Sequence, residues 1–180
     1  KNRCPVSLTL GTNFLDTRTG KTYAYEVNYD KPWKGPVTIA SLDTTTLTWT
    51  ALSEEQLTTQ LHHHAEWVDT TGGFLYIYGG FGNMKYNGHF YRYDIANNHW
   101  EECPDLHGED SLFPRYFCAM GFSSFDNSLY IYGGMGNESG NQIVRRDYFY
   151  DLYRIDPTNF QLEKKWEINW NGESDCVAAR

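Results

Sequence analysis

Basic residues are scarce in this 180-residue chain, where 15 Lys and Arg face 23 Asp and Glu and leave a formal charge of -8. Docking on a phosphate backbone or an anionic lipid surface would start against a repulsive field, so nucleic acid is not an expected partner. No apolar run approaches the ~18 residues of a membrane span, and Lys1-Asn2-Arg3-Cys4-Pro5 is not followed by a signal-peptide core. An exported form would therefore already have lost its signal. Cysteine is sparse and scattered: Cys4, Cys103, Cys118 and Cys176 lack the close pairing of zinc ribbons or dithiol redox sites. They read as isolated thiols, although an even count permits disulfides in an oxidising compartment, with no connectivity implied. Sustained helical periodicity is missing, and so is a Gly-x-Ser-x-Gly nucleophile elbow.

Aromatic residues are abundant instead. With 14 Tyr, 10 Phe and 6 Trp, and 40% hydrophobic residues, the chain has material for a packed core, and flat rings favour a pleated surface. The expected fold is all-β. Its strongest feature is repetition: Tyr76-Ile77-Tyr78-Gly79-Gly80-Phe81-Gly82-Asn83 returns as Tyr130-Ile131-Tyr132-Gly133-Gly134-Met135-Gly136-Asn137. A period of about 50 residues with a glycine pair closing a β-rich run is the mark of propeller blades.

Three blades can be traced. The second is expected at about 61–104, with strands at 65–68, 74–78, 89–94 and 99–102. Thr70-Thr71-Gly72-Gly73 makes its hairpin, and Asp94-Ile95-Ala96-Asn97-Asn98 supplies side chains that bond their own backbone. The third, about 114–168, repeats the order with strands at 116–122, 129–132, 148–156 and 160–166, and carries a long polar loop over 135–147. The first, about 4–52, is degenerate: strands are expected at 6–10, 22–27, 37–43 and 47–52, but Val27-Asn28-Tyr29-Asp30 stands where a glycine pair belongs. Residues 173–180 are expected to open a further blade, so the chain reads as part of a longer array.

Gly79-Gly80, Tyr93-Asp94 and Trp100, with partial copies at Gly133-Gly134, Asp156 with Trp166, and Asp43 with Trp49, resemble the kelch repeat over most of the chain. The resemblance implies a β-propeller of four-stranded antiparallel blades around a channel, usually about six or seven in number. About three blades are present, as part of a larger ring. Physical reasoning reaches the same roles: a glycine pair permits φ > 0 and close backbone approach, while Trp49 and Trp100 suit the wedges between blades. An open array would expose apolar blade faces, so self-association that completes a ring is expected.

Candidate functional residues are fewer. His62-His63-His64 places His62 and His64 on one face of a strand, but two ligands without a third do not make a metal site. No metal and no cofactor is expected. By repeat alignment His62 and His63 correspond to Arg115 and Tyr116, at the entry to an inner strand near one mouth of the channel. Arg115 offers a fork to carboxylates, Tyr116 a face for stacking, and Arg145 and Arg146 lie in the long loop. The glycines do not form a phosphate cradle, because a strand follows them and not a helix.

The function expected is a non-enzymatic binding module whose loops recognise a protein or peptide. The alternative is carbohydrate recognition, with Phe81, Tyr86 or Tyr116 stacking on sugar rings, or a non-catalytic part of a larger oxidase-like enzyme. The third blade also resembles galactose-oxidase-like propellers of exported proteins, which implies a periplasmic or extracellular home. Fold alone does not fix function.

Overall fold

The structure, a computed structural model, describes residues 2–7, 12–27, 37–57, 59 and 61–168. The expectations for Asn28-Tyr29-Asp30, Cys176 and the segment 173–180 lie outside the described residues, as do the last three positions of the strand expected at 6–10.

The described residues form strands and turns, with no helix among them. In chain order the strands are β1 (Thr12–Asp16), β2 (Lys21–Tyr25), β3 (Ile39–Asp43), β4 (Thr48–Ser53), β5 (Ala65–Asp69), β6 (Phe74–Tyr78), β7 (Phe81–Gly82), β8 (Lys85–Tyr86) and β9 (Phe90–Asp94). They continue as β10 (His99–Glu102), β11 (Arg115–Tyr116), β12 (Ala119–Ser123), β13 (Ser128–Tyr132), β14 (Met135–Gly136), β15 (Asp147–Tyr148), β16 (Asp151–Ile155) and β17 (Leu162–Glu167). Three four-stranded sheets result, ordered β1-β2-β3-β4, β10-β9-β6-β5 and β12-β13-β16-β17, and every strand pairs with its sequence neighbour within its sheet. These meanders are the blades expected of an all-β kelch-type propeller.

Turn chemistry makes the meanders. The backbone oxygen of Asp16 accepts from Gly20 N at 2.8 Å, and that of Asp69 from Gly73 N at 2.9 Å, with both glycines at positive φ (67° and 81°). This shared Asp-x-x-x-Gly turn shifts the first blade's opening strand to Thr12–Asp16, six residues beyond the position expected from the alternation at 6–10. On the other side of the blades, Asp43, Asp94 and Asp156 each accept backbone N–H groups two or three residues on. The residue four positions after each of them, Leu47, Asn98 and Phe160, is left-handed.

Two compact units make up the chain. The first comprises Lys1–His62, Val68–Tyr76 and Arg92–Glu101. Its core is aromatic: Phe14 and Tyr23, opposite each other across β1 and β2, stack in parallel at 4.6 Å. Trp100, 5% exposed, lies against Tyr25 at 6.1 Å and Tyr93 at 5.2 Å. Trp49 is only half-buried, and its backbone is bridged on both sides by the Asn2 amide.

The second unit comprises His63–Trp67, Ile77–Tyr91 and Glu102–Arg180. Leu129, Ile131, Tyr153, Ile155 and Leu162 fill its core, and Phe90 bridges Tyr78 at 4.7 Å to Phe160 at 5.8 Å. Two departures from the expected strands decide where the candidate site lies. The strand expected over 116–122 breaks at Phe117, whose φ is 54°, and the two pieces pair differently: β11 joins β14 and β15 in a small sheet, while β12 opens the blade. In addition, β7 and β8 form a two-stranded ribbon immediately after Gly79-Gly80. Two-residue strands carry no periodic signal, so neither feature was expected.

Candidate functional site

The glycine pairs set the geometry. Gly79, Gly80, Gly133 and Gly134 all have positive φ, from 62° to 100°. A Cβ on Gly79 would stand 2.5 Å from the Arg115 carbonyl oxygen, and one on Gly134 2.8 Å from that of Tyr116. The backbone after each pair is thereby turned into β7 or β14, both beside the segment 114–117. Gly80 N donates to Arg115 O at 2.8 Å, and Arg115 N to Asn87 O at 3.1 Å.

Arg115, expected to face a ligand, is fully buried. Its guanidinium grips Asp151 at 2.6 and 3.1 Å, donates from Nη1 to Gly133 O and from Nε to Phe113 O, both at 3.0 Å, and lies 4.1 Å from the Phe149 ring centre. Burial by itself would push this group toward losing its proton, and Asp151 more than offsets that. Arg115 is a structural clamp with no donor facing solvent. The residue type alone suggested anion binding, and its partner, 36 positions away, was invisible in the sequence. His62 is likewise buried, 5% exposed, in the first unit. Among the described residues no three His, Cys, Asp or Glu side chains gather as metal ligands.

Around Tyr116 the picture differs. Its ring stacks in parallel on Tyr86 at 5.4 Å, meets Phe81 edge-on at 4.9 Å and touches Phe117 at 5.0 Å. His63 adds a parallel face to Phe81 at 5.5 Å and contacts Phe117 at 4.3 Å. Phe81, Met84, Tyr86, Tyr116, Gln142 and Arg146 line a pocket of about 400 Å³ beside this cluster. The long loop closes one side: Tyr86 N donates to Gly140 O at 2.8 Å and Gln142 N to Met84 O at 3.1 Å. Asn137, 2% exposed, holds the loop's shape by donating to Asn141 O and Arg145 O.

Three of the sequence candidates, His63, Tyr116 and Arg146, thus meet in one place. Arg145 turns to Asp147 at 2.9 Å and is largely solvated. Arg146 donates to the Tyr148 hydroxyl at 3.2 Å and, at the long limit of 3.5 Å, to that of Tyr116, and these contacts hold its guanidinium firmly protonated. Met84, in the pocket lining, is 56% exposed, and along the loop into β15 Ile143, Val144 and Tyr148 are 75%, 62% and 47% exposed. Met84, Ile143 and Val144 were missed because isolated apolar residues in a polar loop look unremarkable.

Strain concentrates here as well. His63, Asn83, Met84 and Phe117 are all left-handed, at φ 55°, 49°, 62° and 54°. In the β7–β8 turn, Met84 occupies a place where glycine is the relaxed choice. Non-glycine residues held this way cost about 1–2 kcal/mol each and cluster at working sites.

A second pocket, of about 360 Å³, is lined by Gly108, Glu109, Asp110, Arg154, Asp156, Gln161, Leu162 and Glu163. Its polar groups are largely spent on one another: Asp110 accepts from Lys164 N, and Arg154 pairs with Asp126 and Glu163.

Comparison with known proteins agrees with the blades. Residues 68–107 match the family model described as the Kelch motif. The solved structure of YjhT is similar with a TM-score of 0.63 and 18% identity, over 94% of this chain and 54% of that one. The likeness is one of fold, and this chain spans about half the length of that structure. No curated protein matches. The fold is therefore that of kelch-type β-propeller blades.

Proposed function

We propose that this chain is a non-catalytic module that binds a segment of another protein on the surface made by the β7–β8 ribbon and the 137–148 loop. The observation that carries the reading is exposed apolar surface beside the aromatic pocket: Met84 in its lining, and Ile143 and Val144 directly after Gln142, another lining residue. The adaptable Met side chain, with apolar neighbours, suits the irregular surface of a peptide. A sugar stacks on an open flat ring, whereas Tyr86 and Tyr116 are each only 8% exposed and cover one another. That arrangement favours the peptide over the carbohydrate reading. A random-peptide display library panned on the intact chain, with Ile143→Ser/Val144→Ser as the comparison, tests it. Peptides retained by the parent and lost by the variant support the proposal; an empty selection beside reproducible binding on a glycan array would replace it with the sugar reading.

Self-association belongs to the same reading. One face of the first sheet carries Leu15, Thr22, Leu42 and Trp49 in one cross-strand row, and one face of the third carries Ala119, Tyr132, Leu152 and Trp166. Leu15 is 50% and Trp166 42% exposed. Light scattering on the isolated chain is expected to show dimers or larger species, and a stable monomer would count against it.

A further inference from the structure

Six of the described arginines can be sorted by what they face. Arg18 pairs with Asp16, Arg92 with Glu101, Arg115 with Asp151, Arg145 with Asp147, and Arg154 with Asp126 and Glu163. Arg146 alone among these six has no carboxylate. Its side-chain partners are instead two tyrosine hydroxyls, which accept from it. In a chain of charge -8, where carboxylates outnumber cations, a guanidinium without a carboxylate partner in the lining of an aromatic pocket is an exception.

The geometry points to a carboxylate subsite: we infer that Arg146 receives the acidic side chain of an Asp or Glu in the bound peptide. The inference rests on the peptide-binding reading above and deepens it. The Tyr116 and Tyr148 hydroxyls orient the guanidinium from two directions while using only part of its five donors. A carboxylate takes the remaining donors as a bidentate pair, the geometry that distinguishes Arg from Lys. Gln142, in the same lining, contributes a neutral amide, and Phe81 and Met84 offer apolar surface to the methylene stem. Arg145, one residue earlier, is already neutralised by Asp147 and takes no part.

The overall negative charge does not forbid this. At physiological salt charges beyond about 8 Å are largely screened, so the local cation decides. Because Arg146 is exposed, its pair with a peptide carboxylate is worth a modest factor, about two- to fivefold in Kd, and weakens as salt rises.

The test uses peptides recovered from the display library on the intact chain, each synthesised with its acidic residues changed singly to the amide. One position is expected at which Asp→Asn or Glu→Gln weakens binding about two- to fivefold on the parent. Arg146→Gln should produce the same loss and abolish the difference between acid and amide peptides, while Arg145→Gln preserves it. If peptides bind with no acid preference, or Arg146→Gln leaves the acid–amide difference intact, the carboxylate subsite is wrong and the peptide reading survives. If the library yields nothing, the Arg146 side-chain N–H resonance is followed during titration with blocked glutamate, blocked glutamine and glucuronate. A saturable shift with blocked glutamate alone upholds the subsite without the peptide reading. No shift, an equal shift with blocked glutamine, or a shift only with glucuronate overturns it.

Discussion

Arg115 and Asp151 are locked in a two-pronged ion pair inside the second unit, with nitrogen–oxygen distances of 2.6 and 3.1 Å and exposures of 0% and 3%. Two further donors of the same guanidinium hold the carbonyls of Phe113 and Gly133, and Phe149 covers it. The clamp ties β16 to the segment leading into β11, and so fixes the backbone on which Tyr116 is presented.

Removing one partner should leave a buried charge uncompensated. Asp151→Ala and Arg115→Ala are each expected to lower unfolding free energy by about 3–5 kcal/mol, as read by urea titration. Arg115→Lys should recover little, because a single ammonium cannot reproduce the fork. A loss below about 1 kcal/mol for Asp151→Ala would show that the pair does not anchor this region.

Glycine positions divide by what surrounds them. Gly79→Ala and Gly134→Ala combine left-handed backbone with a Cβ at 2.5 and 2.8 Å from a carbonyl oxygen, and each should cost at least about 2 kcal/mol. Gly121, in β12, has ordinary φ and nothing within 4 Å, so Gly121→Ala should leave stability unchanged or raise it by up to about 1 kcal/mol. Thermal melts of the three variants make the comparison.

Acid should unfold the protein through its turns. Hydrogen bonds from Tyr130, Ser123 and Arg154 hold Asp126 down to about 2, and backbone and side-chain donors in the turns hold Asp43, Asp94 and Asp156 below the ordinary carboxylate range. These folded values lie below the unfolded one, near 3.9, so the stability they contribute is fully present above about pH 5 and is lost as pH falls toward 2. Asp126→Asn is expected to flatten part of that decline in a pH series of denaturant midpoints. An unchanged slope would contradict the assignment.

Much of the fold was legible because its signals are local. The second sheet matched the expected strands to within one residue at every end, since alternating aromatics, Gly72-Gly73 and Asp94 punctuate it. The first sheet was misplaced at its opening because Val6-Ser7-Leu8-Thr9-Leu10 alternates better than Thr12-Asn13-Phe14-Leu15-Asp16, while the deciding Asp-to-Gly turn went unread. Trp49 and Trp100 looked equivalent, yet Trp100 is buried and Trp49 only half-buried, while Trp166, four residues beyond the repeat position, is exposed by 42%. Of the site, Tyr116 and Arg146 were flagged by residue type, as were Phe81 and Tyr86. Their convergence needed the break at Phe117 and the ribbon after Gly80, and neither has a periodic signature.

Met84 should show a conflict between stability and binding. Replacing this left-handed residue by glycine relieves strain in the β7–β8 turn, so Met84→Gly is expected to raise stability by about 0.5–1 kcal/mol. The same change removes an exposed apolar side chain from the pocket rim and should weaken library-derived peptides severalfold. Calorimetric melts and peptide titrations on one preparation read both effects.

The central claim is that the ribbon and the long loop together form the binding surface, and backbone amide shift mapping with a library-derived peptide tests it most directly. The largest shifts are predicted within Phe81–Tyr86, at Tyr116 and across residues 139–148. Shifts centred on Gly108, Asp110 and Leu162, around the second pocket, would contradict it.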